Sequence, residues 1–547
     1  MELLDCRRLT GPNLLWDRPS VMMDIACPAA DAAAIESGLR AEITGLHERL
    51  GWAAPAFSAK PRVGGLSLAF DGPIDRLYAG IALAEAAWSR FAGQATEPLE
   101  ASLATIAERA AEEANPALLA LQARAQERQA PFLWDDDEVS IGFGTSTQIW
   151  PSANLPPLDA VDWQRPANIP IALVTGTNGK TTTSRMCARI LHAAGHRVGL
   201  SSTEGIWIDD LTLDEGDYAG PGGARTILRQ QQADAAVLET ARGGLLRRGL
   251  GVERADVALI TNIAADHLGD FGSRTLAELL EIKWIISRAV VEGGILVLNA
   301  DDPMLVEKAG THPGKIAWFS LDESRSDVEF RPEDGCLIRA REDTCQRLCR
   351  ISDIPLTLNG AARHNIANAL AAAAVCTYLG MDAETIAVGL TGMQQEDNPG
   401  RTNLYEVNGV RVLLDFAHNP HAIAATAELT TRLPARRRLL AFAQAGDRTD
   451  ELLQDCARAA WTHGPERVII SELAKYARGR APGEVHGILR DELIRSGCPP
   501  REIIHVETET DALDHALAWA QPGDLLIMLV LGEANALRTR LSLLAAG

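Results

Sequence analysis

The sequence predicts a multidomain α/β protein: a central P-loop parallel-sheet ATPase domain, a C-terminal Rossmann-like domain and a small α/β N-terminal domain. Three observations predict it. The first is a strand, loop and helix in immediate succession: the apolar run Ile171 to Val174, the turn Gly176-Thr177-Asn178-Gly179-Lys180-Thr181, and a helical pattern marked by Met186, Ile190 and Leu191. The second is the alternation of strands and helices that follows, with strands expected at Ile171–Val174, Arg197–Ser201, Ala235–Glu239, Val257–Asn262 and Ile295–Asn299. The third is a second strand–helix series after Pro399-Gly400-Arg401, with strands at Val410–Phe416, Leu439–Ala443, Val468–Ser471, Ile503–Val506 and Leu525–Val530.

Taken in order, residues 1–150 mix strand-like runs (Ser20 to Ala26, Gly65 to Phe70) with Ala-rich helical stretches, clearest at Asp31–Leu50 and Leu83–Ala92. They carry no nucleotide motif. A Pro-rich linker is expected over 151–169, with Pro156-Pro157 inside it. The central domain is expected over 170–397. Within it, 325–358 reads as short strands or hairpins and Asn365–Leu379 as an Ala-rich helix. The C-terminal domain takes 398–547. At 547 residues the chain is long enough for three or four domains.

Composition narrows the function. A formal net charge of −21 argues against nucleic acid as a partner, because phosphate backbones call for basic surfaces. No segment is apolar for the length a bilayer needs, and the N-terminus lacks the layout of a signal peptide, so a cytoplasmic protein without a membrane partner is expected. Nine scattered cysteines suit a reducing compartment. Cys345 and Cys349 have no second pair at zinc spacing.

The loop carries the most chemistry. Backbone N–H groups of Gly176, Thr177, Asn178, Gly179 and Lys180, with the helix N-terminus, are placed to cradle phosphate oxygens. Lys180 adds charge, and the Thr181 hydroxyl can hold Mg²⁺, with Thr182 beside it. Val174 stands where the general loop pattern has Gly, so this is a particular subtype. Three further groups sit at or after strand ends, where open α/β sheets bind ligands: Glu239 in Glu239-Thr240-Ala241-Arg242-Gly243-Gly244, His267 in Thr261 to Leu268, and Lys283 on the next helix. Singly, each has a plain reading: a cap or ion-pair carboxylate, a turn histidine, a solvated lysine.

Their order changes that. Together with Arg363-His364-Asn365-Ile366-Ala367-Asn368-Ala369, Asn398-Pro399-Gly400-Arg401 and Asp415-Phe416-Ala417-His418-Asn419-Pro420, the set resembles the Mur ligase family of ATP-dependent amide ligases, over about residues 168–547. Within it, the chain most resembles the cyanophycin synthetase group. Leu9-Thr10-Gly11-Pro12-Asn13-Leu14-Leu15-Trp16 and Ile141 to Ile149 resemble that group's first domain, whereas its ATP-grasp module has no counterpart here. The resemblance implies that Lys180 and the loop amides bind the phosphates of ATP, that Thr181 and Glu239 hold one Mg²⁺, and that His267 helps hold a second. Lys283 matches a position often carbamylated by CO₂, a change that would make it a metal ligand. The resemblance further implies Asn368 at adenine, Asp415 at the ribose, and Arg401 at the γ-phosphate from the C-terminal domain. His418 and Asn419 are expected at domain closure or at substrate.

The implied function is an acid–amino-acid ligase of the EC 6.3.2 type. It activates a small-molecule or peptide carboxylate acceptor as an acyl phosphate and joins it to an amino acid. Cofactors are then ATP, Mg²⁺ at two sites and a carbamylated lysine, and the resemblance also admits a homo-oligomer. The N-terminal domain would present the acceptor or serve oligomerisation. Two other readings are an inactive nucleotide-binding scaffold or subunit working with a separate ATP-grasp partner, and an unrelated P-loop phosphotransferase. The resemblance implies that the C-terminal domain selects the amino acid through segments such as Gln444 to Arg448 and Arg478 to Glu484, and the departure of Ala443-Gln444-Ala445 from the group's pattern just before Gly446-Asp447-Arg448 argues against arginine as that amino acid.

Overall fold

Four sheets organise the chain in a computed structural model, which describes residues 1–165, 168–266, 275–341 and 344–546. The largest has eleven strands. Its centre is parallel: Ile171–Thr175 lies between Ala235–Glu239 and Ala255–Ile260, flanked by Val198–Ser202 on one side and by Val290–Asn299 and Lys315–Phe319 on the other. Every residue of Ile171–Thr175 is buried, because helices cover both faces of the sheet, and hence the run is uniformly apolar rather than alternating.

The expected parallel sheet is thus present but continues into antiparallel edges. A hairpin of Gly205–Ile208 and Leu211–Glu215, not foreseen from the sequence, closes one side. Phe330–Glu333, Cys336–Arg341 and Thr344–Arg350 close the other, where short strands were expected. The helix Arg363–Tyr378 lies against the loop helix Lys180–Ala193, its run of small alanines fully buried so that the two pack closely.

The C-terminal six-stranded sheet is parallel except for the edge strand Asn403–Val407. Its core strand Leu525–Leu529 is wholly buried between Val410–Asp415 and Arg438–Phe442. At the N-terminus a four-stranded antiparallel sheet packs against Ala32–Arg49 and Leu77–Phe91. The helices Leu99–Glu113 and Pro116–Glu127 follow. The second starts from an Asn115 cap with Pro in its first turn. A three-stranded sheet, Phe132–Trp134, Glu138–Ile141 and Gln148–Pro151, completes this part. Leu155, Leu158 and Trp163 pack on it, so this portion of the Pro-rich stretch is held against folded structure.

The N-terminal part is fastened to the end of the helix Arg242–Arg248, beside the central sheet. Thr10 N donates to Arg248 O (2.9 Å) and Leu250 N to Pro12 O (2.7 Å). A Cβ at Gly11 would lie 2.3 Å from Leu250 O, so the approach requires glycine there. The Leu9 to Trp16 motif is therefore a seam between two parts of the chain.

Candidate functional site

The loop after Ile171–Thr175 is shaped by contacts that leave no room for side chains. Gly176 has φ +145° and a Cβ there would fall 1.8 Å from Thr261 Oγ1; Gly179 has φ +84°, with Asn368 Oδ1 at 2.3 Å from its would-be Cβ. Asn262 braces the turn, its carbonyl accepting from Thr177 N (2.9 Å) and its Oδ1 from Asn178 N (3.0 Å). Thr261 Oγ1 donates to Asn178 O at 2.6 Å. The helix Lys180–Ala193 begins directly from Gly179, so its free N–H groups and positive end face the loop. A preformed anion cradle results.

Charges converge beneath it. Glu239, at the end of its strand, is 1% exposed, and among the described residues neither carboxylate oxygen has a hydrogen-bond partner. The Thr181 hydroxyl and the Thr203 amide face it without closing a bond of normal geometry. Burial raises its pKa, against the pull of Lys180 and Arg401. The Lys180 ammonium donates to Thr177 O (2.9 Å), and burial lowers its pKa while Glu239 and Asp266 oppose the shift. Lys283, on the capped helix Leu276–Trp284, is 4% exposed and its Nζ donates to Gly176 O at 2.6 Å. Burial first, then the nearby Lys180 charge, pushes Lys283 well below the usual lysine range. A buried carboxylate with both oxygens unbonded among the described residues, beside a threonine hydroxyl, offers oxygen donors of the kind a hard divalent cation takes.

The C-terminal part reaches the loop and the elements beside it through Asn419, Arg401 and Asn398, among others. Asn419 caps the helix Pro420–Arg432 through Oδ1 to Ala422 N (2.9 Å), and its Nδ2 donates to Asn178 Oδ1 (2.8 Å). Arg401 donates to Glu204 Oε1 from Nε (3.1 Å) and Nη2 (2.9 Å), while Arg185 of the loop helix donates to Glu204 Oε2 (2.7 Å). Glu204 is thus shared by two arginines from different parts of the chain. Burial alone would raise its pKa, but Arg401 and Arg185 together hold it below the ordinary carboxylate value. Asn398, fully buried, bonds Thr182 Oγ1 through Nδ2 (3.2 Å), tying the chain crossover to the first turn of the loop helix.

Of the sequence-derived residues, the structure brings together Gly176, Thr177, Asn178, Gly179, Lys180, Thr181, Glu239 and Lys283. Arg401 lies close enough to Glu239 for their charges to interact. Asn368 packs on the loop, accepting from Thr183 Oγ1 (3.3 Å) and donating to Asn365 Oδ1 (3.0 Å). Asp415 Oδ2 accepts from Thr402 N (2.7 Å) and Thr402 Oγ1 (2.9 Å) at the end of its strand. His418 Nε2 pairs with Asp266 Oδ2 at 3.2 Å. His267 lies outside the described residues. Sequence reasoning missed Glu204, whose signal was a Thr-Glu-Gly sequence at a strand end, and it gave no role to Asn262 or Asn398, both inside motifs it had singled out.

Comparison with known proteins gives the family. Residues 174–376 match the Mur ligase middle domain and residues 400–532 the Mur ligase glutamate ligase domain. The two matches together take in more than half of the chain, and it belongs to the Mur ligase family. Among its relatives are the cyanophycin synthetase of Geminocystis herdmanii (strain PCC 6308), 34% identical over 72% of this chain and 46% of that protein, and a UDP-N-acetylmuramate–L-alanine ligase of Xanthomonas campestris pv. campestris (strain B100), 29% identical over 66% and 71%. The chain spans about half the length of the cyanophycin synthetases it matches. Solved structures with a similar fold include Mycobacterium tuberculosis folylpolyglutamate synthase complexed with ADP and AMPPCP (TM-score 0.52, 20% identity, 68% of this chain and 91% of that one) and MurF from Acinetobacter baumannii (0.51, 18%, 69% and 77%).

Proposed function

We propose that this chain is an ATP-dependent ligase that joins the carboxylate of a small-molecule or peptide acceptor to an amino acid. The observation that carries the reading is the convergence of an anion cradle, the unbonded buried Glu239 carboxylate and Lys283 at one sheet edge, with Arg401 brought in from the C-terminal part. The family match and the nucleotide complexes of the folylpolyglutamate synthase fold support it.

In this reading the loop amides and Lys180 hold the ATP phosphates, and Thr181 and Glu239 hold Mg²⁺, which spreads the charge of phosphoryl transfer when bound. Burial of Lys283 favours its neutral amine, the form that adds CO₂. A carbamate there would add an anionic oxygen donor, with His267 nearby in the sequence as a further ligand. Arg401 would leave Glu204 for the γ-phosphate. Asn368 and Asp415 would hold the nucleoside. The acceptor carboxylate attacks the γ-phosphorus and ADP departs; the amine then attacks the acyl carbon and phosphate departs. The chain's part is largely positioning and electrostatics.

The test is phosphate release from Mg-ATP across amino acids and acidic acceptors, including aspartyl and glutamyl peptides, with products read by mass spectrometry. Release that needs both substrates, with a product heavier by one condensed amino acid and absent in Lys283→Ala, supports the ligase. Tight ATP binding without turnover on any acceptor counts against it.

A further inference from the structure

Gln444 lies just past the strand Arg438–Phe442, at the C-terminal edge of the six-stranded sheet, where open α/β sheets receive ligands. It is 3% exposed, and among the described residues neither its Oε1 nor its Nε2 has a hydrogen-bond partner. Leaving a buried polar atom unbonded costs about 1–3 kcal/mol, so a side chain orphaned at both ends calls for a reason.

Looseness of the turn is not that reason. Gly446 N donates to Tyr476 O (2.8 Å), and Arg480 donates from Nε to Gly446 O (3.0 Å) and from Nη2 to Arg448 O (2.7 Å). A Cβ at Gly446 would lie 2.0 Å from Ala477 O, so the backbone has closed tightly around the turn. Arg448, further along it, is buried, with its Nε unbonded among the described residues and its Nη1 reaching Asp447 Oδ1 at 3.5 Å. Cys456, on the following helix Asp450–Trp461, is close enough to feel the charges of both Arg448 and Asp266, and Asp266 pairs with His418.

We propose that Gln444 is a specificity-determining residue that binds the side chain of the incoming amino acid through both amide atoms. The inference rests on the ligase reading above. An amide offers one acceptor and one donor group, so it is matched by a neutral side chain that offers both, a carboxamide or a hydroxyl. A guanidinium or ammonium leaves Nε2 unbonded and meets the Arg448 charge; a carboxylate leaves Oε1 unbonded. Mismatches of this kind are rejected strongly in a buried site.

The test uses the full chain with Mg²⁺ and a non-hydrolysable ATP analogue, titrated with each of the twenty amino acids by calorimetry, alongside phosphate release with ATP. The wild type should bind asparagine, glutamine, serine or threonine in preference to arginine and lysine. Gln444→Met, close in shape but without the amide, should bind that amino acid at least tenfold more weakly at unchanged affinity for the analogue. Gln444→Glu should shift preference towards cationic side chains. A wild type that prefers arginine, lysine or an acidic amino acid, or that binds none, overturns the inference, as does a Gln444→Met variant with wild-type preference and affinity. The expected binding pattern without phosphate release would leave this inference standing and refute the ligase reading instead.

Discussion

Replacing Glu204 by Gln should loosen the joint between the loop helix and the C-terminal part. In the wild type its carboxylate accepts three hydrogen bonds from Arg185 and Arg401, at 2.7 to 3.1 Å. Arg185 has 10% of its side chain exposed and Arg401 23%, while Glu204 keeps 32%. A hydrogen bond to a charged group contributes about 1.5–3 kcal/mol when buried, but partial exposure reduces the value of an ion pair considerably. A loss of about 1–2 kcal/mol follows for the substitution, a change of roughly five- to thirtyfold in the folded ratio. Denaturant unfolding at pH 7 reads it directly. The pH dependence supplies a second check. Arg401 and Arg185 hold the carboxylate's pKa below its unfolded value, so the stabilisation is fully present above about pH 4.5 and is lost as pH falls through the folded value. Glu204→Gln should therefore differ most from wild type near neutrality and converge with it in acid. Equal stability at pH 7, or a difference that grows in acid, would refute the reasoning.

Other substitutions probe separate links. Asn178→Ala removes the bonds to Asn419 and should raise KM for ATP severalfold, while thermal unfolding shifts by only a few degrees. Gly176→Ala puts a Cβ onto Thr261 Oγ1 and should abolish nucleotide binding, as calorimetry with ADP would show. His463 is fully buried against Thr430 Oγ1 and burial lowers its pKa to about 4. Since the unfolded chain binds the proton first, its contribution is lost as pH falls from about 6.5 towards 4, at most about 3 kcal/mol. His463→Gln should flatten that part of the urea-midpoint profile. Lys283→Ala should leave ADP binding within a few-fold but remove turnover, and wild-type turnover should fall in CO₂-depleted buffer and return with bicarbonate.

Much of this was legible in the sequence because it is local. The strand Ala235–Glu239 and the loop helix follow from an apolar run, a glycine turn and a helical pattern within a few residues. What escaped was set by pairing at a distance. The hairpin Gly205–Glu215 adds to the sheet through Val198–Ser202; its two strands are short, and the outer one is exposed at every residue although it carries Leu211 and Leu213, so its hydrophobic pattern does not report burial. Glu204 escaped for a related reason: Thr203-Glu204-Gly205 marks a strand end, but the pairing with Arg401 is fixed by the docking of another part of the chain. Gln444 was visible only as a departure from a pattern, and burial without a partner gave the departure meaning.

The central claim is that a carboxylate is activated by phosphorylation before the amide forms. Incubating the protein with Mg-ATP, an accepted acidic substrate and hydroxylamine, without an amino acid, tests it most directly. The account predicts an acceptor hydroxamate formed in step with ADP and absent in Lys283→Ala. A phosphorylated product stable to hydroxylamine, or ADP released with no hydroxamate, would contradict it.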